Sequence, residues 1–484
     1  MDLEELPNLA VYWRSVVGAA GSTFFLARGE AGKLLGVQGN TTGFEGVPEG
    51  DALLCPLTAG NAAALRERLP WLRPGLLGLK RSVGCGDRLG LATPGHIRAV
   101  RNAVRQGRGQ NTIALIPAQQ SMRENARTGR SPQQVLDDAM WGVFQEGWHE
   151  PWGADADHLK TTADIDLCVA AGYTFYTVDP GDRVDNQAHT APFARLEDKL
   201  RSLPWPELKD SLPALQARYL GPQFEVEGMR LSFDRTTLAR AAAKYGRAIA
   251  HTAIMYRHLA SAVGSRPFEF EVSVDETETP TSALEHYYIA RELKRLGVRW
   301  VSLAPRYVGR FEKGVDYIGD LGEFEAELAK HAAVARVLGP YKLSIHSGSD
   351  KFSVYPIFAR QAGELVHLKT AGTSYLDAVR TIARVEPGFF RDILALALER
   401  YESDRATYHV SADPAKVPRP KDLSDEQLAG VLDQFDGREL LHVTFGSVLD
   451  RFGARLLAAL DAHEEEYYAA LEANFERHLA PFLT

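Results

Sequence analysis

Cysteine is almost absent: Cys55, Cys85 and Cys168 are the only three in 484 residues, far apart and in no CxxC spacing. That excludes a disulfide framework and a cysteine-built zinc site, and it points to a reducing cytoplasm. No run of about 18 apolar residues occurs, so no membrane-spanning helix is expected. The opening stretch MDLEELPNLAVYWRS is acidic and lacks a basic segment followed by an apolar one, so no secretory leader is expected either. Basic charge is also short. The formal net charge is −8, which offers no attraction to nucleic acid or to an anionic membrane. A P-loop is missing, and GCGDRLG (84–90) does not have the spacing of a dinucleotide-binding GxGxxG. There is no tandem repeat of solenoid period and no low-complexity tract.

What remains is ordinary globular composition, 45% hydrophobic and 24% charged, with an order imposed on it only by position. Eight short apolar runs alternate with helical patterns: LLGLKRSVG (76–84), TIALIPAQ (112–119), ADADHLK (154–160), TFYTVDP (174–180), FEFEVSVDE (268–276), RWVSLAPR (299–306), YKLSIHSG (341–348) and ELVHLKTAG (364–372). The third is the most polar. SPQQVLDDAMWGVFQEGW and SALEHYYIARELKRLG, in the gaps, carry apolar residues three and four apart. Strand–helix alternation predicts a parallel sheet, and eight units predict an α/β fold closed as a (β/α)8 TIM barrel. The barrel is placed at 76–380, with an insertion at 181–266 between strands four and five. An N-terminal extension (1–75) contains a predicted hairpin, FFLARGEAGKLLGVQG, and the remainder (381–484) is predicted helical.

The candidate chemistry sits where strands end. YKLSIHSGSDKF leaves a strand on His346 and opens into a Gly/Ser/Asp loop that begins with Ser347. GELVHLKTAG repeats the plan, with His367 and Lys369 two apart and Thr370 next. GADADHLKT ends on Asp157 and His158. Neutral imidazoles at the exits of separate barrel strands suit a divalent Zn, Ni, Mn or Fe ion with a position open for substrate. In FEFEVSVDE, strand periodicity puts Phe268, Phe270, Val272 and Val274 on one face and Glu269, Glu271, Ser273 and Asp275 on the other. An inward carboxylate is costly unless paired or metal-bound, so Glu271 and Asp275 are under chemical demand, and Glu276 begins a loop that reaches the same region. Neighbours on a strand point opposite ways, so Asp157 and His158 both reach the site only if the strand has ended. Asp157 is then an acid/base or a group that orients the histidine. Lys369 either meets substrate or pairs with Glu271. Arg88 either binds a substrate anion or pairs with Asp87 or another acid at the barrel mouth. Arg123, Arg127 and Arg130 lie on a polar loop, and His409 lies in YHVSADP.

The segments GCGDRLGLATPGH, QQSMRENARTGRSP, GADADHLKT, VSVDETETPTS, PRYVGRFEKGVDYIGD, LSIHSGSDKF, HLKTAGTSYLDA and YHVSADP, spread from about residue 82 to 414, together resemble the tagaturonate epimerase family, bacterial hexuronate C4-epimerases. The family in turn resembles metal-dependent class II sugar aldolases. The resemblance implies a divalent ion bound by His158 and His346, with the third ligand drawn from His367, Glu276 and Glu271 and His367 favoured. It implies catalytic roles for Asp157, Glu271, Glu276 and Lys369, and substrate contacts for Arg88, Asp275, Ser347 and Thr370. The implied substrate is a small keto sugar acid, with no nucleic-acid or membrane partner and a homo-oligomer admitted. Neutral ketohexoses such as fructose and tagatose are not distinguished from uronates. Counting the ketone as C2, the C4 hydrogen is not α to it but the C4 hydroxyl is β, which favours retro-aldol cleavage and re-addition over enolisation. The rivals are a class II aldolase that releases its fragments, a non-catalytic aldolase-related subunit, and an NAD-dependent epimerase, against which the missing dinucleotide fingerprint counts.

Overall fold

A computed structural model describes residues 9–30, 32–105 and 113–483. Residues 1–8, which open the segment without a leader pattern, and Thr112, the first residue of the second run, lie outside them. The chain begins with an antiparallel sheet of β1 (Ala10–Ala19), β2 (Ser22–Gly29), β3 (Gly32–Gln38), β4 (Val47–Glu49) and β5 (Ala52–Pro56), in the order β1-β2-β3-β5-β4. The predicted hairpin is β2–β3, with Phe24 opposite Val37 and Leu26 opposite Leu35. These four side chains are buried in the same core that underlies the barrel helices.

All eight runs become strands: β6 (Ser82–Gly86), β7 (Ala114–Ser121), β8 (Trp152–Leu159), β9 (Phe175–Val178), β12 (Glu269–Ser273), β13 (Ser302–Ala304), β14 (Lys342–Ile345) and β15 (Val366–Thr370), after a small hairpin β10 (Gln223–Val226) and β11 (Met229–Ser232) within the insertion. They pair in parallel and close as β6-β7-β8-β9-β12-β13-β14-β15 back to β6. The first run differs: its strand starts only at Ser82. Leu77 and Gly78 instead turn beneath the barrel and donate their backbone N–H groups to the Glu269 carboxylate, with Gly78 at φ +61°.

The predicted helices start where their caps say. Ser131 and Gln134 form a reciprocal capping box on Pro132–Gln145, and Ser282 and Glu285 form one on Ala283–Arg295. The insertion supplies the β9-to-β12 crossover through a 29-residue helix, Arg235–Val263, capped by Asp234. Beyond β15, helices Thr373–Val385, Pro387–Asp404, Phe435–Val443, Phe445–Ala462 and Glu464–Leu479 build a second core around Leu376, Ile382, Phe390, Leu441 and Tyr467. This bundle leans on the mouth of the barrel: Arg438 Nε donates to Gly314 O at 2.6 Å, and Arg88 Nη1 donates to His442 O at 3.2 Å. Among the described residues no helix is long and apolar enough to cross a membrane.

One seam in the bundle gives a pH signature. Asp377 is buried between Thr373–Val385 and Glu464–Leu479, where Asn474 Nδ2 donates to it at 2.9 Å. Burial pushes its carboxyl up to about 7 despite that bond. Below pH ~4 the group is protonated folded or unfolded. As pH climbs from there, the unfolded chain ionises first, so the folded state loses stability until pH passes about 7. Asp377→Asn removes this loss. Its melting temperature is expected to rise relative to the parent between pH 5 and pH 7 and then run parallel; curves parallel throughout would refute the assignment.

Candidate active site

Strand register sorts the barrel interior into levels. Across β8, Trp152, Ala154 and Ala156 pack outward while Asp155 and Asp157 point in, which is why this run reads as polar. Asp155 pairs in register with Phe175 of β9, Thr177 with Glu271 of β12, and Lys369 of β15 with Gly84 of β6. At the middle level Lys369 is the hub. Its Nζ lies 2.7 Å from Asp155 Oδ2, 2.7 Å from Asp157 Oδ1 and 2.8 Å from Glu271 Oε1, and it donates to Thr177 Oγ1 at 2.7 Å. All four residues are buried. Burial works against the ammonium, but the three carboxylates hold its pKa well above the ordinary value.

His367 sits below the hub. It is level with Ser82 on one side and Ser344 on the other. His346 lies two residues beyond Ser344, hence one pleat higher. The His367 ring meets Ser82 Oγ at 2.9 Å, and its Nε2 is 4.0 Å from Asp155. The fold does not bring it to the other two histidines.

Those two meet at the upper rim, with ring centroids 5.0 Å apart. The strand has not ended at Asp157, yet both it and His158 reach the interior. The register of β8 against β9 slips between Ala156 and Leu159, and His158 takes φ +54°. This is a bulge: one extra residue, in left-handed backbone, turns the imidazole inward beside the carboxylate. His158 Nδ1 is 2.8 Å from Asp157 Oδ1, while His158 Nε2 is buried without a hydrogen-bond partner. His346 lies between Glu271 Oε1 (2.7 Å from Nε2) and Asp275 Oδ1 (3.0 Å from Nδ1). Two groups among the described residues bring ligand atoms within 4.8 Å of one another: Asp157, His158 and His346; and His158, Asp179 and Glu276.

Charge explains the protonation. Asp155, Asp157, Asp179, Glu271, Asp275 and Glu276 crowd a volume with fewer permanent cations: Lys369, Arg123, Lys160 at 3.6 Å from Asp179, and Lys313. Burial would lower both histidines. Asp157, with Glu276 and Asp179 behind it, instead raises His158 to about 10, and Asp275 and Glu271 raise His346 to about 9. Burial pushes Asp157 up, but His158 and Lys369 together hold it well below its ordinary value. The rim therefore lacks positive charge, which protons or a divalent ion can supply.

The other anticipated residues are distributed around this rim. Glu276 pairs with Arg123 at 2.9 Å. Arg88 lines the cavity, but its guanidinium is paired with Glu124 at 2.8 Å and stacked 3.7 Å above Phe445. Thr370 Oγ1 donates to Gly84 O at 2.9 Å, deep in the wall. Ser347 accepts from Lys313 Nζ at 2.6 Å. Arg127 donates to Tyr408 Oη at 2.7 Å, Arg130 pairs with Asp138 at 2.5 Å, and His409 lines the outer cavity. Sequence reading passed over Asp155, Asp179, Gln119 and Lys313. Asp155 was accessible through the same period of two that placed Glu271, and Asp179 through the strand-exit rule. Gln119, which donates to Asp157 Oδ2 at 2.8 Å, and Lys313, on a long loop, carry no comparable signal. The cavity has an inner part of about 30 Å³ at Asp157, His158 and Lys369, opening into an outer part of about 450 Å³ at Thr277, Arg306 and His409. Asp275, Glu276, Lys313, His346 and Ser347 line both.

A family model described as tagaturonate epimerase matches residues 12–482. A tagaturonate/fructuronate epimerase of Thermotoga maritima is 43% identical over 487 residues, covering 97% of this chain and 96% of its own. Crystal structures of the fructuronate-tagaturonate epimerase of Cohnella laeviribosi, native and with one glycerol, are similar at 38% identity and a TM-score of 0.92; each covers 98% of this chain, with 97% and 96% of their own lengths matched.

Proposed function

Because the chain belongs to the tagaturonate epimerase family, we propose that it interconverts tagaturonate and fructuronate at C4, and that a divalent ion held by His158 and His346 serves the reaction. The observation that carries the second part is the meeting of two imidazoles from separate strands amid an excess of carboxylates. The donors fit such an ion: His158 Nε2 is buried without a hydrogen-bond partner, and Asp157, Asp179 and Glu276 bring oxygens to the same imidazole. Nitrogen and oxygen donors of this kind suit Zn, Ni, Mn or Fe(II). When bound, the ion supplies Lewis acidity to the keto oxygen.

The protein's own groups then have defined work. Asp157 is ionised at neutral pH, and its Oδ2 bonds only Gln119 among the described residues. It can accept the proton of the C4 hydroxyl as the C3–C4 electron pair moves into a C2–C3 enediolate. The three-carbon aldehyde acid turns its other face, C3 re-adds to it, and Asp157 returns the proton. Glu276, more exposed and anchored by Arg123, brings a second carboxylate to the His158 ring. Lys369 keeps Asp157 and Glu271 charged and in place.

NMR of tagaturonate incubated with metal-loaded protein is expected to show fructuronate appearing. Dihydroxyacetone plus tartronate semialdehyde, the two cleavage halves, are expected to condense to both hexuronates. Exchange of the C4 hydrogen with solvent, without condensation of the halves, would replace carbon–carbon cleavage by proton abstraction. An unchanged spectrum would remove the epimerase reading altogether.

A further inference from the structure

A keto sugar acid needs a cation for its carboxylate, and the lining of the cleft narrows the choice; the argument rests on the functional reading above. Among the described residues six permanent cations line the two parts of the cavity. Arg88 is paired with Glu124, Arg123 with Glu276, Arg310 with Glu312, and Lys369 with three carboxylates. Arg306 donates to the carbonyls of Thr277 and Tyr307. Among the described residues neither Arg306 nor Lys313 has a carboxylate within 4.0 Å, but Arg306 lines only the outer part while Lys313 lines both. The Lys313 ammonium donates to a neutral hydroxyl, Ser347 Oγ, at 2.6 Å, and its charge also acts on the more distant Glu276 and Glu124 carboxylates.

We propose that Lys313, together with the Ser347 hydroxyl, binds the substrate carboxylate and makes the cleft prefer a keto sugar acid to the corresponding neutral keto sugar.

Three features support the assignment. Lys313, Ser347 and His346 all stand where the inner and outer parts of the cavity meet, so an acid end held there leaves the keto end free to enter toward the imidazoles. Ser347 directly follows His346 and holds φ +50°, a left-handed conformation that a serine adopts at a cost and that tertiary contacts must maintain. The loops that carry the pair are also locked to each other. Lys351 is fully buried, and its ammonium donates to the carbonyls of Glu312 at 2.7 Å and Ser349 at 3.0 Å and to that of Val315. One buried lysine thus joins the segment bearing Lys313 to the segment bearing Ser347. In the cleavage mechanism the acid end is the part that must stay put: with C6 held, rotation about C4–C5 presents the other face of the aldehyde while the fragment remains in the cleft.

Wild-type protein, Lys313→Met and Lys313→Arg are to be compared for KM and kcat on tagaturonate, for inhibition by tagatose as the neutral counterpart, and for direct calorimetric binding of tagaturonate. Loss of a charge-assisted bond predicts a roughly ten- to hundredfold rise in KM for Lys313→Met, with kcat changed far less, Lys313→Arg intermediate, and the tagatose inhibition constant unmoved in all three. An unchanged KM would overturn the proposal. So would a parallel weakening of tagatose, because that marks general damage to the cleft. If wild-type protein is inert yet binds tagaturonate more tightly than Lys313→Met does, the epimerase reading fails and the carboxylate site stands.

Discussion

Protein carrying His346→Ala or His158→Ala is expected to purify without a stoichiometric divalent ion and to lose roughly 10³-fold or more in kcat/KM on tagaturonate, since Lewis-acid stabilisation of a developing oxyanion is worth several kcal/mol. In the proposed centre these two are the indispensable donors. Their rings lie 5.0 Å apart, and each is oriented by a carboxylate on its Nδ1 side, Asp157 for His158 and Asp275 for His346. A carboxylate on one ring nitrogen fixes which nitrogen is presented to the metal and raises its basicity. For His158 that leaves Nε2, the buried atom with no partner. For His346 it leaves Nε2, 2.7 Å from Glu271, a position that Glu271 would share or yield in the proposed centre. His367→Asn is the control. Its ring lies a pleat lower, against Ser82, and the variant is expected to keep its ion. Metal analysis of the four proteins settles the matter. An ion lost from His367→Asn but retained by His346→Ala would overturn the proposed centre, as would wild-type protein without bound metal under reconstitution.

The second large effect is on stability. Lys369→Met leaves Asp155, Asp157 and Glu271 facing one another in the barrel with their common counter-ion gone. Breaking a buried charge network from one side costs about 3–5 kcal/mol, because the remaining charges stay desolvated. The urea midpoint is therefore expected to fall sharply at neutral pH. It should recover partly as pH drops toward 5, since unpaired buried carboxylates take up protons in the folded state before they do so in the unfolded chain. Lys369→Met combined with Glu271→Gln should recover part of the loss at neutral pH, because the two sites are in contact and their effects do not add. A single variant with an unchanged midpoint would show that the four groups are not one network. The same experiment separates two roles for this lysine: a hub is lost in stability first, whereas a residue that only touches substrate would leave the midpoint alone.

Much of this was legible because it depends on local periodicity. Alternating runs and capped helices specify a parallel barrel whatever the tertiary details, and all eight runs form its staves. The period of two placed Glu271 inside, and the exit of a strand placed His346 at the mouth. The same rule misled for His367, because a strand period says which face a residue takes but not how deep in the barrel it lies. Depth is set by stagger between neighbours, and His367 is level with Ser82 and Ser344, at the floor. Asp157 and His158 could not both point inward on a regular strand. They do so through a bulge that no composition signal announces. The balance of charge was equally hidden. Arg88 is taken by Glu124, on the helix Met122–Thr128 that follows a different strand, and Lys313 stands out only once the pairing of the other cations lining both parts of the cleft is known.

The sequence by itself determined the kind of molecule: a strand–helix repeat long enough to close, free of membrane and nucleotide signals, with imidazoles and acids at strand exits. Those are properties of neighbours along the chain, fixed by backbone geometry and hydrophobic spacing. Only the tertiary structure decided which of those groups share a level, which charges cancel and which are left to meet a ligand. Stagger, bulges and ion pairs join residues tens to hundreds of positions apart, and their energies exist only once the barrel has closed.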